Sequence, residues 1–288
     1  PVFKRKGSYQ SFRYPQGFKV DESQSKVFLP KIGWIRYYQS RKMVGIAKNM
    51  TVSKRGKNWY VSIQTEYQQT ALSHPSRTAV GIDVGIKRFA TLSNGGVILP
   101  LNSLRKREKQ LAHRQRALSR KTKFSMNWKK EKQKIAVLHE KIANCRLDYL
   151  HKVSTHISQN HAMIFVEDLK VKNMSQSARG DAENPGRMVK AKSGLNKSIL
   201  DQGWSMFVNM LTYKQSWRFG DVMKVNPRHT SQTCPLCQHV SKLNRQTQER
   251  FECVSCQYTE NADLVGALNI LARGHRVLAC GEMALAAQ

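Results

Sequence analysis

The stretch Thr78-Ala79-Val80-Gly81-Ile82-Asp83-Val84-Gly85 decides the fold. Ala79–Ile82 is a short apolar run with no polar alternation, the pattern of a strand covered on both faces. It ends on an aspartate. Just beyond it, Phe89–Ser93 and Val97–Leu99 flank Asn94-Gly95-Gly96, and Asn-Gly is the strongest short hairpin signal. The region therefore reads as strand, turn, strand, turn, strand. A second fully apolar strand is expected at Ala162–Val166 and a third at Val222–Val225. Between them, residues 101–160 lack proline and suit two long helices. The first is expected to run over Leu101–Lys134. The second places Ile135, Leu138, Ile142, Cys145, Tyr149, Val153 and Ile157 on one stripe, where Cys145 is a core residue. Trp204–Trp217 returns to helical spacing, and a last helix is expected from Asp263 to Leu271. Strands interrupted by long helices make an α/β domain.

The rest of the chain divides around this unit. Residues 1–20 are basic and weakly patterned. From Lys26 to Tyr67 the pattern is strand-like: Val27–Leu29 and Ile32–Ile35 are apolar runs split by Pro30, and Trp59, Val61 and Ile63 alternate with polar residues. A small β-barrel-like module over 1–77 is expected, with Ala71–Arg77 as a polar connection. The α/β core then covers 78–226 with its helical hairpin at 101–160, a cysteine-rich segment covers 227–260, and a last helix and tail cover 261–288. Ser175–Lys197 is rich in Gly, Ser, Asn and Lys and reads as a mobile loop, and the last dozen residues as a weakly ordered tail. Trp34, Trp59 and Trp204 read as core residues. The chain opens at Pro1 without Met, so a preceding N-terminal part is expected.

Charge narrows the function. The 288 residues hold 49 Lys and Arg against 19 Asp and Glu, a net charge of +30. Such an excess repels itself unless a polyanion neutralises it, and nucleic acid is the fitting partner. No long apolar run or signal peptide supports a membrane role or secretion. A cytoplasmic, bacterial-type location is expected, nucleoid-associated when bound. With no secretory signal, cysteines are read as metal ligands rather than disulfides. Cys234-Pro235-Leu236-Cys237 and Cys253-Val254-Ser255-Cys256, fifteen residues apart, form a closed four-cysteine zinc pattern.

Three acids hold informative places in a chain poor in acids: Asp83 after Ala79–Ile82, Glu167 after Met163–Val166, and Asp263 at the start of the last apolar helix. Taken singly each has an ordinary reading: a strand end, a surface turn with Asp168, a helix N-cap. If they converge, oxygen ligands select Mg2+ or Mn2+. Two such ions can clamp the attacking and leaving oxygens of a phosphodiester. Gly85 would leave room for a nucleic-acid backbone.

Gly81-Ile82-Asp83-Val84-Gly85-Ile86-Lys87 resembles the first motif of the RuvC-like nuclease core of the TnpB family. Val166-Glu167-Asp168-Leu169-Lys170-Val171-Lys172-Asn173-Met174 resembles the second, and Asn261-Ala262-Asp263 with Asn269-Ile270 the third. The resemblance runs from about Phe3 through Ala272. It implies an RNase H-like fold, DNA cleavage at sites chosen by a guide RNA, kinship with type V CRISPR effectors, and a catalytic, metal-binding set of Asp83, Glu167 and Asp263. It also implies a zinc ribbon before the third acid, and that the N-terminal part of such proteins is missing here. Val265-Gly266-Ala267-Leu268-Asn269 departs from the family's usual Asn-Ala-Ala-x-Asn.

The first helical segment carries the positive charge. Leu101–Lys134 holds thirteen Lys and Arg and two Glu. Arg105, Lys106, Arg107, Arg114, Arg116, Arg120, Lys121, Lys129, Lys130 and Lys132 are expected to hold the phosphates of a guide–target heteroduplex. His113, Phe124 and Trp128 either stack on bases or join helices. Arg228, before the first cysteine pair, is a candidate for holding the scissile phosphate. Two other functions stay open: a regulator that binds nucleic acid without chemistry, and a transposase that performs strand transfer itself.

Overall fold

The computed structural model describes residues 10–56, 58–68, 73–181 and 183–286. Expectations for Pro1–Tyr9, for Ala71 and Leu72 in the polar connection, and for the last two residues of the tail lie outside them. The chain forms two compact units, one of residues up to Ala71 with His113–Glu140, the other of Leu72–Ala112 with Lys141 onward.

The first unit holds strands β1 (Ser11–Tyr14), β2 (Lys19–Asp21), β3 (Lys26–Leu29), β4 (Gly33–Arg36), β5 (Ile46–Arg55) and β6 (Asn58–Glu66). They form two antiparallel sheets, ordered β1-β5-β6 and β2-β3-β4. Val27, Leu29, Met50 and Val52 make the core between them. Trp34 and Trp59 do not join it, contrary to expectation: they are 52% and 54% exposed. Sheets of three strands have too little apolar bulk to cover two indoles, so each ring lies on a neighbour instead. Trp34 tilts on Phe28 and Trp59 on Phe12, with Lys54 over the Trp59 ring.

The second unit is built on β7 (Ala79–Val84), β8 (Ala90–Leu92), β9 (Val97–Ile98), β10 (Met163–Glu167) and β11 (Asp221–Val225), in the order β11-β10-β7-β8-β9. β7, β10 and β11 are parallel, while β8 and β9 fold back antiparallel. The hairpin turn is the expected one, with Gly95 at φ +87°.

Helices cover the sheet. They are α1 (Ser103–Ser119), α2 (Met126–Asn160), the short α3 (Val171–Met174), α4 (Val189–Gln202), α5 (Trp204–Ser216) and α6 (Ala262–Ala286). Val80, Ile82, Ile164 and Val166 pack against Leu150, Ile157, Phe207 and Leu211 of α2 and α5. On the alternate positions, Phe165 and Val225 pack with Ile270 and, more loosely, Leu271 and Leu278 of α6. The period of two along a strand thus assigns one face to α2, α4 and α5 and the other to α6. Each fully buried Phe, Leu or Ile stabilises the unit by about 1.5–3 kcal/mol.

Three boundaries differ from expectation. The first helix stops at Ser119, and Ser125 caps a new helix by accepting from the Trp128 amide at 3.2 Å, so Lys129, Lys130 and Lys132 lie on α2. Capping by one serine was hidden in a run of lysines. The expected loop 175–197 holds the first half of α4, because tertiary contacts override its weak propensity. The Asn196 amide donates to the Ser175 and Gln176 carbonyls, and Ile199, Asp201 and Gln202 are buried. The expected tail is also helical: α6 continues to Ala286, with Gly274 against the Phe165 ring and Leu278 in the same cluster.

Candidate metal centre and cysteine knuckle

Asp83 is the last residue but one of β7 and Glu167 ends β10, its parallel neighbour; Val166 stands opposite Ile82 one position earlier. Counting by two from Gly81 and Phe165, both acids point to the α6 face. They therefore sit side by side at the carboxyl ends of parallel strands, where open α/β sheets place their ligands. Asp263 arrives on the first turn of α6. It is not the N-cap: Asn261 fills that role, its side-chain oxygen accepting from the Asp263 and Leu264 amides at 3.1 and 3.4 Å and from Arg88 at 3.2 Å.

Asp83 feels the other two carboxylates. The Asp83 carboxyl is pushed up to about 8, first by removal from water, then by the charges of Glu167 and Asp263. Burial also raises Glu167, while a hydrogen bond from Thr230 and the charges of Arg273 and Arg245 pull it back. A carboxyl that holds its proton near neutral pH between two other acids is one that a cation can occupy in the proton's place. The donor set is all oxygen, which suits Mg2+ or Mn2+.

Small residues bring α6 to the sheet. A Cβ on Gly266 would stand 2.8 Å from Asp83 Oδ2, and one on Gly81 would meet the backbone of Ala267 and Leu271. The departure at Gly266 is thus where a side chain would strike the first acid. Gly85 has a local reason instead: its amide bonds the Phe89 carbonyl, and a Cβ there would stand 2.9 Å from the Arg88 carbonyl.

Several residues around the acids have no role legible in the sequence, although Asn269 stands within the third motif. Thr230 donates to Glu167 Oε1 and is held in place by Asn269, whose buried amide bonds the Thr230 and Thr233 carbonyls at 2.8 and 2.7 Å. Arg273 donates to the Asn226 and Arg228 carbonyls, fixing the loop after β11. Arg245 lies between the cysteine pairs, yet its charge reaches both Asp83 and Glu167. Only the occurrence of Thr230, Asn269 and Arg273 near the quoted motifs offered a signal. The Arg228 side chain itself turns to His229, with Nε 3.1 Å from Nε2.

Cys234, Cys237, Cys253 and Cys256 come together, their sulfurs all within 4.8 Å of one another. Two of the pairs stand 3.6 and 3.5 Å apart. Sulfurs about 2.3 Å from a tetrahedral ion stand about 3.8 Å from each other, so the residues fit zinc. Although burial opposes ionisation of Cys253, the Cys256 and Ser255 amides hold its thiol down to about 6. Strands β12 (Arg250–Glu252) and β13 (Thr259–Asn261) close the knuckle and lead directly into α6. Among the described residues no set of three or more acids meets the 4.8 Å spacing.

Along the basic hairpin, Arg105, Lys106, Arg116, Arg120, Lys129, Lys130 and Lys132 are exposed, and Arg107, Arg114 and Lys121 are half-buried. Its acids are already engaged. Glu131, 5% exposed, pairs with Arg114 and Lys134, and Glu108 pairs with Lys197. Phe124 and Trp128 lie on each other, with ring centres 5.6 Å apart, and Phe124 is 67% exposed. No helix among the described residues is long and apolar enough to cross a membrane.

Residues 62–178 match the family described as "Probable transposase", and residues 204–270 match "Cas12f1-like, TNB domain". The chain is 57% identical over 283 residues to "Putative RNA-guided DNA endonuclease InsQ" of Escherichia coli strain K12, covering 98% of this chain and 70% of that protein. It is 35% identical over 238 residues to "Putative RNA-guided DNA endonuclease" of Streptomyces pristinaespiralis, covering 81% of this chain and 54% of that protein. Among solved structures, the Cas12f1-sgRNA-target DNA complex aligns over 94% of this chain and 68% of its own, with 20% identity and a TM-score of 0.46. At these identities and coverages, the chain belongs to the TnpB family.

Proposed function

We propose that this chain carries the nuclease centre of an RNA-guided, divalent-metal-dependent DNA endonuclease encoded by a transposable element. On this reading the five-stranded sheet is an RNase H-like core, the basic hairpin and zinc ribbon are insertions in it, and the β-rich module precedes it. The observation that carries the reading is the placement of Asp83 and Glu167 at the carboxyl ends of two parallel strands, with the charges of Glu167 and Asp263 both raising Asp83. Mg2+ or Mn2+ bound there would lower the pKa of a water and stabilise charge on the leaving oxygen.

The chain's own residues have separable tasks. Asp83 and Glu167 present oxygens from adjacent strand ends, and Asp263 presents a third from α6. Thr230 orients Glu167 and helps keep it ionised. Arg245, reaching from the ribbon, offers a guanidinium beside the acids that can pair with a phosphate. The exposed cations of the hairpin bind polynucleotide backbone without reading its sequence, and pairing with the guide RNA selects the target. The names of the relatives and the net charge of +30 support DNA and RNA as partners.

The test is cleavage of DNA by the protein purified with its RNA, in Mg2+, before and after ribonuclease treatment. Cutting at sites matching that RNA, lost when the RNA is digested, is expected. Undiminished cutting or strand joining after digestion would favour a direct transposase, and tight binding with no cutting would favour a regulator.

A further inference from the structure

The tip of the basic hairpin is built on a turn that does not carry the residue its geometry favours. The Ser125 amide bonds the Thr122 carbonyl at 3.1 Å, which closes a four-residue turn over Thr122–Ser125. Its third residue, Phe124, stands at φ +70°. Glycine or asparagine usually takes a positive φ there, and a bulky side chain adopts it at a cost. The ring gains no burial in return, since Phe124 is 67% exposed. It rests on Trp128, with ring centres 5.6 Å apart and planes at 59°. An apolar contact near a helix start can fix how the chain enters α2. Any apolar side chain would serve for that, so the contact does not account for an exposed aromatic ring on a strained turn.

The surroundings are cationic. Arg120, Lys121, Lys123, Lys129, Lys130 and Lys132 flank the two rings in sequence, and no carboxylate among the described residues pairs with them. Glu131, the one acid between Arg120 and Lys132, is buried and held by Arg114 and Lys134. Two of the lysines lie over the rings themselves: Lys123 Nζ is 5.2 Å from the centre of Phe124, and Lys132 Nζ is 5.1 Å from that of Trp128. An exposed ammonium over a ring is worth about twofold to fivefold in an equilibrium constant. A base stacked on an aromatic side chain is worth about fivefold to a hundredfold in affinity. A base can therefore take the lysine's place, and the freed ammonium then stands beside the phosphate that the base brings. An open ring among unneutralised cations fits a ligand with flat apolar faces along a polyanionic chain. We propose that Phe124, backed by Trp128, is a stacking platform for an unpaired base of a single-stranded polynucleotide, while Lys123 and Lys132 bind its flanking phosphates. In a duplex each base is covered on both faces, so only an unpaired base can settle on the ring. The proposal rests on the reading of the hairpin as a polynucleotide-binding arm and adds a preference for single strands at its tip.

The experiment measures binding of the full chain to three strands of equal length and charge: oligo-dT, oligo-U and an abasic phosphodiester. Each is read by fluorescence anisotropy at several salt concentrations. Wild type is expected to bind the base-bearing strands about tenfold tighter than the abasic one. An advantage on either sugar supports the platform, and the larger one names the strand. Phe124→Leu keeps an apolar side chain against Trp128 and removes the aromatic face. It is expected to erase the advantage, with abasic binding, salt slope and helix content by circular dichroism unchanged, and Phe124→Tyr to restore it. Lys123→Gln is expected to lower the salt slope by about 1 on all three strands. Equal affinity of wild type for base-bearing and abasic strands overturns the platform, as does a Phe124→Leu variant that keeps the advantage. A Phe124→Leu loss seen on phosphatidylserine vesicles and not on oligonucleotides overturns it too, and assigns the tip to a lipid surface. The two readings fail separately. Steeply salt-dependent binding of all three strands without a base advantage keeps the arm and sinks the platform. A base advantage that Phe124→Leu abolishes, on strands whose affinity ignores salt, does the reverse.

Discussion

The cysteine knuckle and the acid cluster are both sets of metal-binding side chains, but they are assembled in opposite ways. The four sulfurs come from two tight turns within 23 residues of chain, and they stand close enough to share an ion. The three carboxylates come from two strands and a helix spread over 181 residues, and they keep a wider spacing. In the knuckle the Cys256 and Ser255 amides favour one ionised thiol, Cys253, whereas carboxylates moved out of water repel, and one of them answers by holding its proton. The knuckle is a site made by local chain geometry. The acid cluster is a site made by the fold, at a cost in electrostatic free energy.

The largest expected effect breaks the acid side of this comparison. Asp83→Ala, Glu167→Ala and Asp263→Ala should each reduce guided cleavage by several orders of magnitude, because metal ligands act as a unit. RNA binding, measured by filter retention, should stay near wild type. Guided cutting by the triple variant would end the assignment.

Removing the knuckle should do the converse. Cys234→Ser or Cys256→Ser should unfold the segment leading into α6 rather than remove chemistry selectively. Closed four-thiolate zinc sites contribute on the order of 10 kcal/mol to folding in isolated fingers. Proteolysis should then cut within 227–261, and metal analysis of wild type should find about one zinc per chain. A folded wild-type protein without zinc would contradict this.

The pH dependence of stability sharpens the contrast. Asp83 titrates at about 8 when folded and near 3.8 as a free side chain. Between those values the folded state keeps a proton that the unfolded chain has lost, so stability contributed at this position falls as pH rises through the window. The slope is up to about 1.4 kcal/mol per pH unit. Urea midpoints measured without Mg2+ should show this fall, and Asp83→Asn should flatten it. An unchanged slope in that variant would mean the carboxylates do not oppose one another.

The smallest effect separates geometry from stability. Gly266→Ala adds a Cβ against the Asp83 carboxylate. The atom it meets is the free end of a side chain, and alanine is the family's usual residue here, so cleavage should fall by no more than about tenfold. Thermal stability should change by no more than about 1 kcal/mol, since alanine favours the helix. A loss of a hundredfold or more would show that the acid has no room to shift.

The contrast also explains what could be read in the sequence. The cysteine pairs announce themselves because their geometry is local. The strand Ala79–Ile82, the Asn94-Gly95-Gly96 turn and the stripe along α2 are legible for the same reason: each obeys a short period. The acids could be located but not brought together, since convergence depends on register between distant strands. Thr230, Arg245 and Arg273 escaped because their roles follow from where loops end. Trp34 and Trp59 misled in the other direction, as hydrophobicity does not say how large a sheet will be. Residues 189–197 looked like loop because Gly194 and its polar neighbours carry no sign of the docking that holds α4.

The bare seam under α6 has a further consequence. Gly81 meets the backbone of Ala267 and Leu271, Gly266 meets Asp83, and Gly274 meets the Phe165 ring. At these three points a glycine takes one side chain out of the contact, while Ile270, Leu271 and Leu278 pack beside them. A helix seated backbone to strand can neither roll nor slide without collision, so Asp263 has one address relative to Asp83 and Glu167. Moving the third acid to switch this centre would force the α6 backbone against Gly81, the costliest place for it to shift. Control falls to the approaches: what admits a strand to the carboxyl edge of the sheet, and what keeps others out.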